Sequence, residues 1–247
     1  MSTAQLSATA VVLMRAEGQV TTLRDMDLLY AGTTYVHSSH LTGEEWQLVA
    51  DSGGTVSLAP QIEIQMGHGW APAVTAIDYG IPVGLSSDVA TTASADQFTQ
   101  MHAVFGSERG RAHQAAWDAD LDGLEPSPGL LSSRQALRLA TIGGAEVAGI
   151  ADRTGSITPG KKADVVILDG SAVNMAPIID PVGAVVCAAD VSNVKTVLVD
   201  GELLKEDFKL VASLDGPRRA VQESRDYLLE KFGEPLPGWI TPSGQPT

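Results

Sequence analysis

Three times in the first half of the chain a short β-branched run gives way to a helix signature or ends on polar residues. Thr33-Thr34-Tyr35-Val36-His37 is dense in β-branched and aromatic side chains, as a buried strand is. Thr42-Gly43-Glu44-Glu45 then has the spacing of a capping box and opens a helix over 44–50. Asp51-Ser52-Gly53-Gly54 turns the chain into a second strand, 55–59, and an irregular loop is expected from Pro60 to Trp70. A helix over 72–79 stops at Gly80, and Ile81–Ser86 makes a third strand that ends at Ser87-Asp88. Strands alternating with helices in this way build a parallel sheet of an α/β fold, covered on its faces.

The next stretches continue the helical pattern and then abandon it. Phe98, Met101, Phe105 and Ala112 give an apolar stripe to a helix over 95–117. Residues 118–131 are acidic and broken by Pro and Gly, which reads as a loop, either a plain connection or a lid. Ser132 and Ser133 cap a helix over 134–147 that ends at Gly149, and Gly143-Gly144 reads as close helix packing. From Thr154 the chain turns to short β runs over 163–168, 182–188 and 194–199, with Asp200-Gly201 as a hairpin turn. A charged amphipathic helix over 217–232 and a Pro/Gly-rich tail close the sequence.

Sixteen Lys and Arg against 30 Asp and Glu leave a formal charge of −14, which disfavours a nucleic-acid groove or an anionic membrane surface as partner. No apolar run reaches the roughly 20 residues of a membrane span. Residues 1–14 lack a basic leader pattern, so a cytoplasmic address is expected. The lone Cys187 lies in an apolar run and reads as an inert core thiol.

His37 and Asp88 fall at the C-terminal ends of two strands. In a parallel barrel those ends share one mouth, where chemistry is done. Either they cap the turns that follow, or His37 serves as ligand, proton shuttle or oxyanion donor and Asp88 binds a metal and takes a proton from its water. His68, between Gly67 and Gly69, reads equally as a substrate contact or as loop geometry; Gln61, Glu63 and Gln65 either line the same pocket or face solvent. His40 reads as solvated or capping, and His102 and His113 as structural or exposed. No phosphate-binding glycine motif occurs.

Taken together, 35–41 (YVHSSHL), Ser57-Leu58-Ala59-Pro60, 83–88 (VGLSSD), 136–149 (ALRLATIGGAEVAG) and 155–164 (GSITPGKKAD) resemble the amidohydrolase superfamily, in its cytosine-deaminase/chlorohydrolase-like branch. The resemblance implies strands six to eight of a (β/α)₈ TIM-type barrel over 21–153 and part of a flanking β-sandwich over 154–212. Residues 1–20 stay unmatched, and 213–247 form a C-terminal helix and tail. It implies hydrolysis of a C–N or C–Cl bond on a polar nitrogen heterocycle by water on a divalent metal, Zn²⁺ or Fe²⁺. His37 then matches the strand-six histidine and Asp88 the strand-eight metal ligand, both catalytic, while Gln61, Glu63, Gln65 and His68 line the substrate loop.

The sequence departs from that family at its other ligands. The family's first strand carries His-x-His, and its fifth a histidine followed three residues later by a glutamate; this sequence has no His-x-His and no histidine before His37. A complete barrel takes about 250 residues. The expectation is therefore the C-terminal half of such an enzyme, inactive by itself, whose missing ligands come from a complementary N-terminal half or across a homo-oligomer. The competing expectation is a truncated, inactive remnant that serves as a structural or small-molecule-binding module.

Overall fold

The computed structural model describes residues 11–14, 18–120 and 129–233. The expected loop at 118–131 falls largely outside them, as does the tail after Gly233. The chain begins with β1 (Val11–Met14) and α1 (Gln19–Asp25), then β2 (Thr34–His37), α2 (Gly43–Asp51), β3 (Thr55–Leu58), α3 (Pro60–Gln65), α4 (Ala73–Asp78) and β4 (Val83–Leu85). The four strands lie side by side in sequence order, and every pair is parallel. The strand β1, paired along its length with β2, and the helix α1 were not foreseen from the sequence.

The capping box of α2 is present, and it does more than start a helix. The Glu45 backbone N–H donates to Thr42 Oγ1 at 3.3 Å, and Thr42 N–H donates back to Glu45 Oε2 at 3.2 Å. The other carboxylate oxygen of Glu45 accepts from Val20 N–H at 2.9 Å, so a single buried side chain serves the N-termini of α1 and α2.

After β4 come the long α5 (Gln97–Asp118) and α6 (Ser133–Arg138), a π-helical turn over Leu139–Gly143, and α7 (Gly144–Val147). The expected single helix over 134–147 is thus interrupted. Here the chain presses on β4: a Cβ on Gly143 would sit 2.2 Å from the Val83 carbonyl oxygen. A Cβ on Gly84 would in turn meet the Gly144 Cα at 2.9 Å, so glycine is required on both sides of this contact.

The remaining elements are β5 (Val165–Leu168), α8 (Pro181–Cys187), β6 (Val194–Val199), β7 (Glu202–Glu206), β8 (Lys209–Leu210) and α9 (Asp215–Phe232). The run 182–188, expected as a strand, is the helix α8. Asp180 caps it by accepting from Val182 N–H at 3.0 Å and Pro181 occupies its first turn, and together these outweigh the β-branched side chains behind them. Val186 joins the core formed by the parallel strands and the helices around them, whereas Cys187 is exposed, contrary to the expected core thiol. Strands β5 to β8 form a separate antiparallel sheet in sequence order. Asp200 and Gly201, at φ 52° and 83°, make the hairpin turn between β6 and β7. No helix among the described residues is long and apolar enough to cross a membrane.

Candidate active site

Parallel strands with helical returns bring their C-terminal ends to one edge, and that edge carries the polar residues. β2 ends on His37 and β4 runs into Ser86 and Asp88. Ser38 N–H closes back on the Val36 carbonyl at 2.9 Å, a γ-turn centred on His37 with φ 68°, the strained sign of that turn. Ser38 follows at φ 58° and Asp88 lies at φ 51°. Three non-glycine residues are therefore held left-handed at the same edge of the sheet, a backbone cost that packing must offset.

The side chains converge. His37 is 2% exposed; its Nδ1 lies 3.1 Å from Glu63 Oε1, and its Nε2 lies 3.9 Å from Asp88 Oδ2. The Asp88 side chain is 38% exposed, so the pair is shut on the Glu63 side and open on the Asp88 side. The His68 ring meets that of His37 edge to face, with centroids 4.9 Å apart. Gly69, at φ 108°, brings its backbone so close that a Cβ would stand 2.9 Å from Ser39 Cβ and 3.3 Å from His40 Nε2. The glycines around His68 thus mark crowding, as their sequence context suggested.

The segment expected as a loop over 60–70 begins as the helix α3. Pro60 opens it, and Glu63 reaches back one turn to accept from Ala59 N–H at 2.8 Å. The sequence showed no N-cap residue before Pro60, because this cap comes from inside the helix. Glu63 is fully buried and bonded to His37 and Ala59, not turned toward open space. Gln61 accepts from Ser94 N–H at 3.1 Å and from Gln100 Nε2 at 3.4 Å, which ties the loop after Asp88 to α5. Gln65 is exposed at the end of α3, and His40, His102 and His113 are exposed as well. The sequence reading missed the His37–Glu63 pairing and the buried Gln100. Pro60 as a helix opener was the available signal, since it places Glu63 one turn beyond the end of the strand next to β2.

Among the described residues no group of three or more His, Cys, Asp or Glu is arranged to hold a metal. Asp88 and His37 Nε2 offer two donors, short of the three protein ligands usual at a catalytic zinc, so these residues do not by themselves fit a metal centre.

Fold and site define an α/β protein whose buried and open polar side chains gather at the C-terminal edge of a parallel sheet. The model of the amidohydrolase family matches residues 9–204. The match starts inside the segment 1–20 for which the sequence reading had no counterpart. The 5-methylthioadenosine/S-adenosylhomocysteine deaminase of Teredinibacter turnerae is 31% identical over 214 residues, 85% of this chain and 44% of that protein. The enzyme of the same name from Acetivibrio thermocellus is 30% identical over 175 residues, 70% of this chain and 38% of its own length. The chain thus spans less than half of these two relatives. A zinc-bound adenosine deaminase from Xanthomonas campestris superposes with a TM-score of 0.70 at 25% identity, covering 85% of this chain and 45% of that one. The zinc complex of an atrazine chlorohydrolase from Arthrobacter aurescens gives 0.64 at 26% identity, covering 83% and 43%. The chain belongs to the amidohydrolase family, in its deaminase-like branch, and its fold is of the TIM-barrel type.

Proposed function

We propose that this chain carries part of the catalytic face of a metal-dependent aminohydrolase acting on an amino-substituted nitrogen heterocycle. In this reading β2, β3 and β4 are the sixth, seventh and eighth strands of a (β/α)₈ barrel, and β1 stands in the place of the fifth. The observation that carries it is the approach of His37 Nε2 to the Asp88 carboxylate at the open C-terminal edge, with both residues held at positive φ. Such a pair can take the proton of an attacking water and hold charge that develops on a ring substituent. His68, packed on the His37 ring, and the exposed Gln65 are assigned to substrate contact; Gln61 holds the neighbouring loop.

Relatives crystallised with zinc support a divalent metal in the complete enzyme, Zn²⁺ or Fe²⁺, with Asp88 as this chain's ligand. The remaining donors then come from outside this sequence, in the same polypeptide or in a second chain. Metal analysis and an ammonia-release assay on 6-aminopurine nucleosides and aminotriazines test the reading. The chain alone is expected to hold clearly less than one zinc and to release no ammonia. Joined to a polypeptide that completes the barrel, it should bind about one metal and turn over, and His37→Asn or Asp88→Asn should each lower kcat/KM at least about 100-fold. A completed, metal-loaded barrel that releases ammonia with undiminished rate in both variants would overturn the assignment.

A further inference from the structure

We infer that Glu63 is a positioning residue that fixes the proton of His37 on Nδ1 and so presents Nε2 to the site as a bare acceptor. Glu63 Oε1 accepts the Ala59 N–H at 2.8 Å, and a carboxylate has no hydrogen to give, so the hydrogen in its 3.1 Å bond to His37 Nδ1 is assigned to the ring. A neutral imidazole carries one N–H, which leaves a lone pair on Nε2.

Three further observations agree. Glu63 is 0% exposed and His37 2%, so no solvent competes for the bond. The second Glu63 oxygen is buried without a hydrogen-bond partner, a costly arrangement to keep for one backbone N–H alone. The γ-turn at His37 holds the backbone left-handed, and that strain is stored where the ring must be aimed. On the opposite side, Nε2 and the Asp88 carboxylate face each other at 3.9 Å, outside hydrogen-bonding distance, as two acceptors do. The space between them suits a group that donates to both, such as a water molecule or an amino substituent.

The tautomer rests on the Ala59–Glu63–His37 contacts, and its catalytic consequence rests on the aminohydrolase reading. Long-range ¹H–¹⁵N correlation on the labelled chain at about pH 8.5, where free imidazole is neutral, reads the tautomer directly, with the His37 signals assigned by their loss in His37→Asn. The wild type is expected to show a protonated Nδ1 and a bare Nε2. Glu63→Gln, whose amide oxygen can still accept both N–H groups, should keep that pattern, and Glu63→Leu should move the proton to Nε2 in most molecules. A wild-type ring protonated on Nε2 overturns the inference without any variant, and so does a folded Glu63→Leu chain with the wild-type pattern. In the completed enzyme Glu63→Leu should lower kcat about 10–100-fold with KM little changed. If the wild type shows the expected tautomer but no substrate turns over, the aminohydrolase reading fails while the positioning role stands. If turnover is found and the tautomer ignores Glu63, the positioning role fails by itself.

Discussion

Two buried carboxylates, Glu45 and Glu108, respond to pH in opposite senses. Burial would push Glu45 up, but the backbone N–H groups of Thr42, Gly18, Val20 and Thr21 outweigh it and hold the carboxyl below its ordinary 4.5. Glu108 accepts from Ala73 N–H at 2.9 Å and faces Arg111 at 3.4 Å, yet burial dominates and raises it above 4.5. The Glu45 contribution is therefore present above the unfolded value and lost as pH falls through the lower folded one. For Glu108 the native state binds more protons than the unfolded chain between 4.5 and its raised value, so stability falls as pH rises through that window. Urea midpoints from pH 8 to 4 check both. Glu45→Gln should be less stable than wild type by about 1–2 kcal/mol at pH 7, with the deficit shrinking in acid. Glu108→Gln should match or exceed wild type at pH 7 and lose that advantage in acid.

Between elements, the tightest constraint is the glycine contact of the π-helical turn with β4. Gly143→Ala would drive a Cβ into the Val83 carbonyl and should cost about 2–4 kcal/mol, whereas Gly144→Ala meets nothing nearer than 3.9 Å and should be neutral or gain up to about 1 kcal/mol. Paired thermal melts distinguish them. The element pattern also shows what the sequence could and could not disclose. β2, β3 and β4 were legible because β-branched runs, caps and turn residues agreed on the same boundaries, and His37 and Asp88 were legible because they stand at the ends of those runs. Pro181–Cys187 misled, since its valines favour a strand while Asp180 and Pro181 start a helix. Glu63 was placed in a loop because its cap runs from within the helix back to Ala59, a pairing with no signature at the usual position. Its partnership with His37 spans 26 residues, a distance that only the packing of neighbouring strands closes.

At the scale of the whole molecule, the two sheets differ in how they are covered. The parallel sheet is buried along β2 to β4, but among the described residues nothing pairs with the outer side of β1 or of β4. No strand residue of the antiparallel sheet is buried. Val166 and Ile167, successive residues that point to opposite faces, are 56% and 48% exposed, so neither face is covered there. Exposed apolar faces and open strand edges favour self-association. The isolated chain should bind a hydrophobic dye strongly and scatter more light as its concentration rises. Val166→Thr together with Leu204→Lys, the latter at an exposed leucine of β7, should lower both signals while leaving the melting temperature of the parallel sheet unchanged.

The left-handed backbone at Asp88 sets evolution of heat tolerance against retention of the site. Glycine adopts that conformation without the steric cost an L side chain carries, and the position is open enough to lose its carboxylate without leaving a cavity. A library selected only for survival at high temperature should therefore enrich glycine at 88, and its fittest members would be robust proteins that have lost the open half of the proposed proton-handling pair.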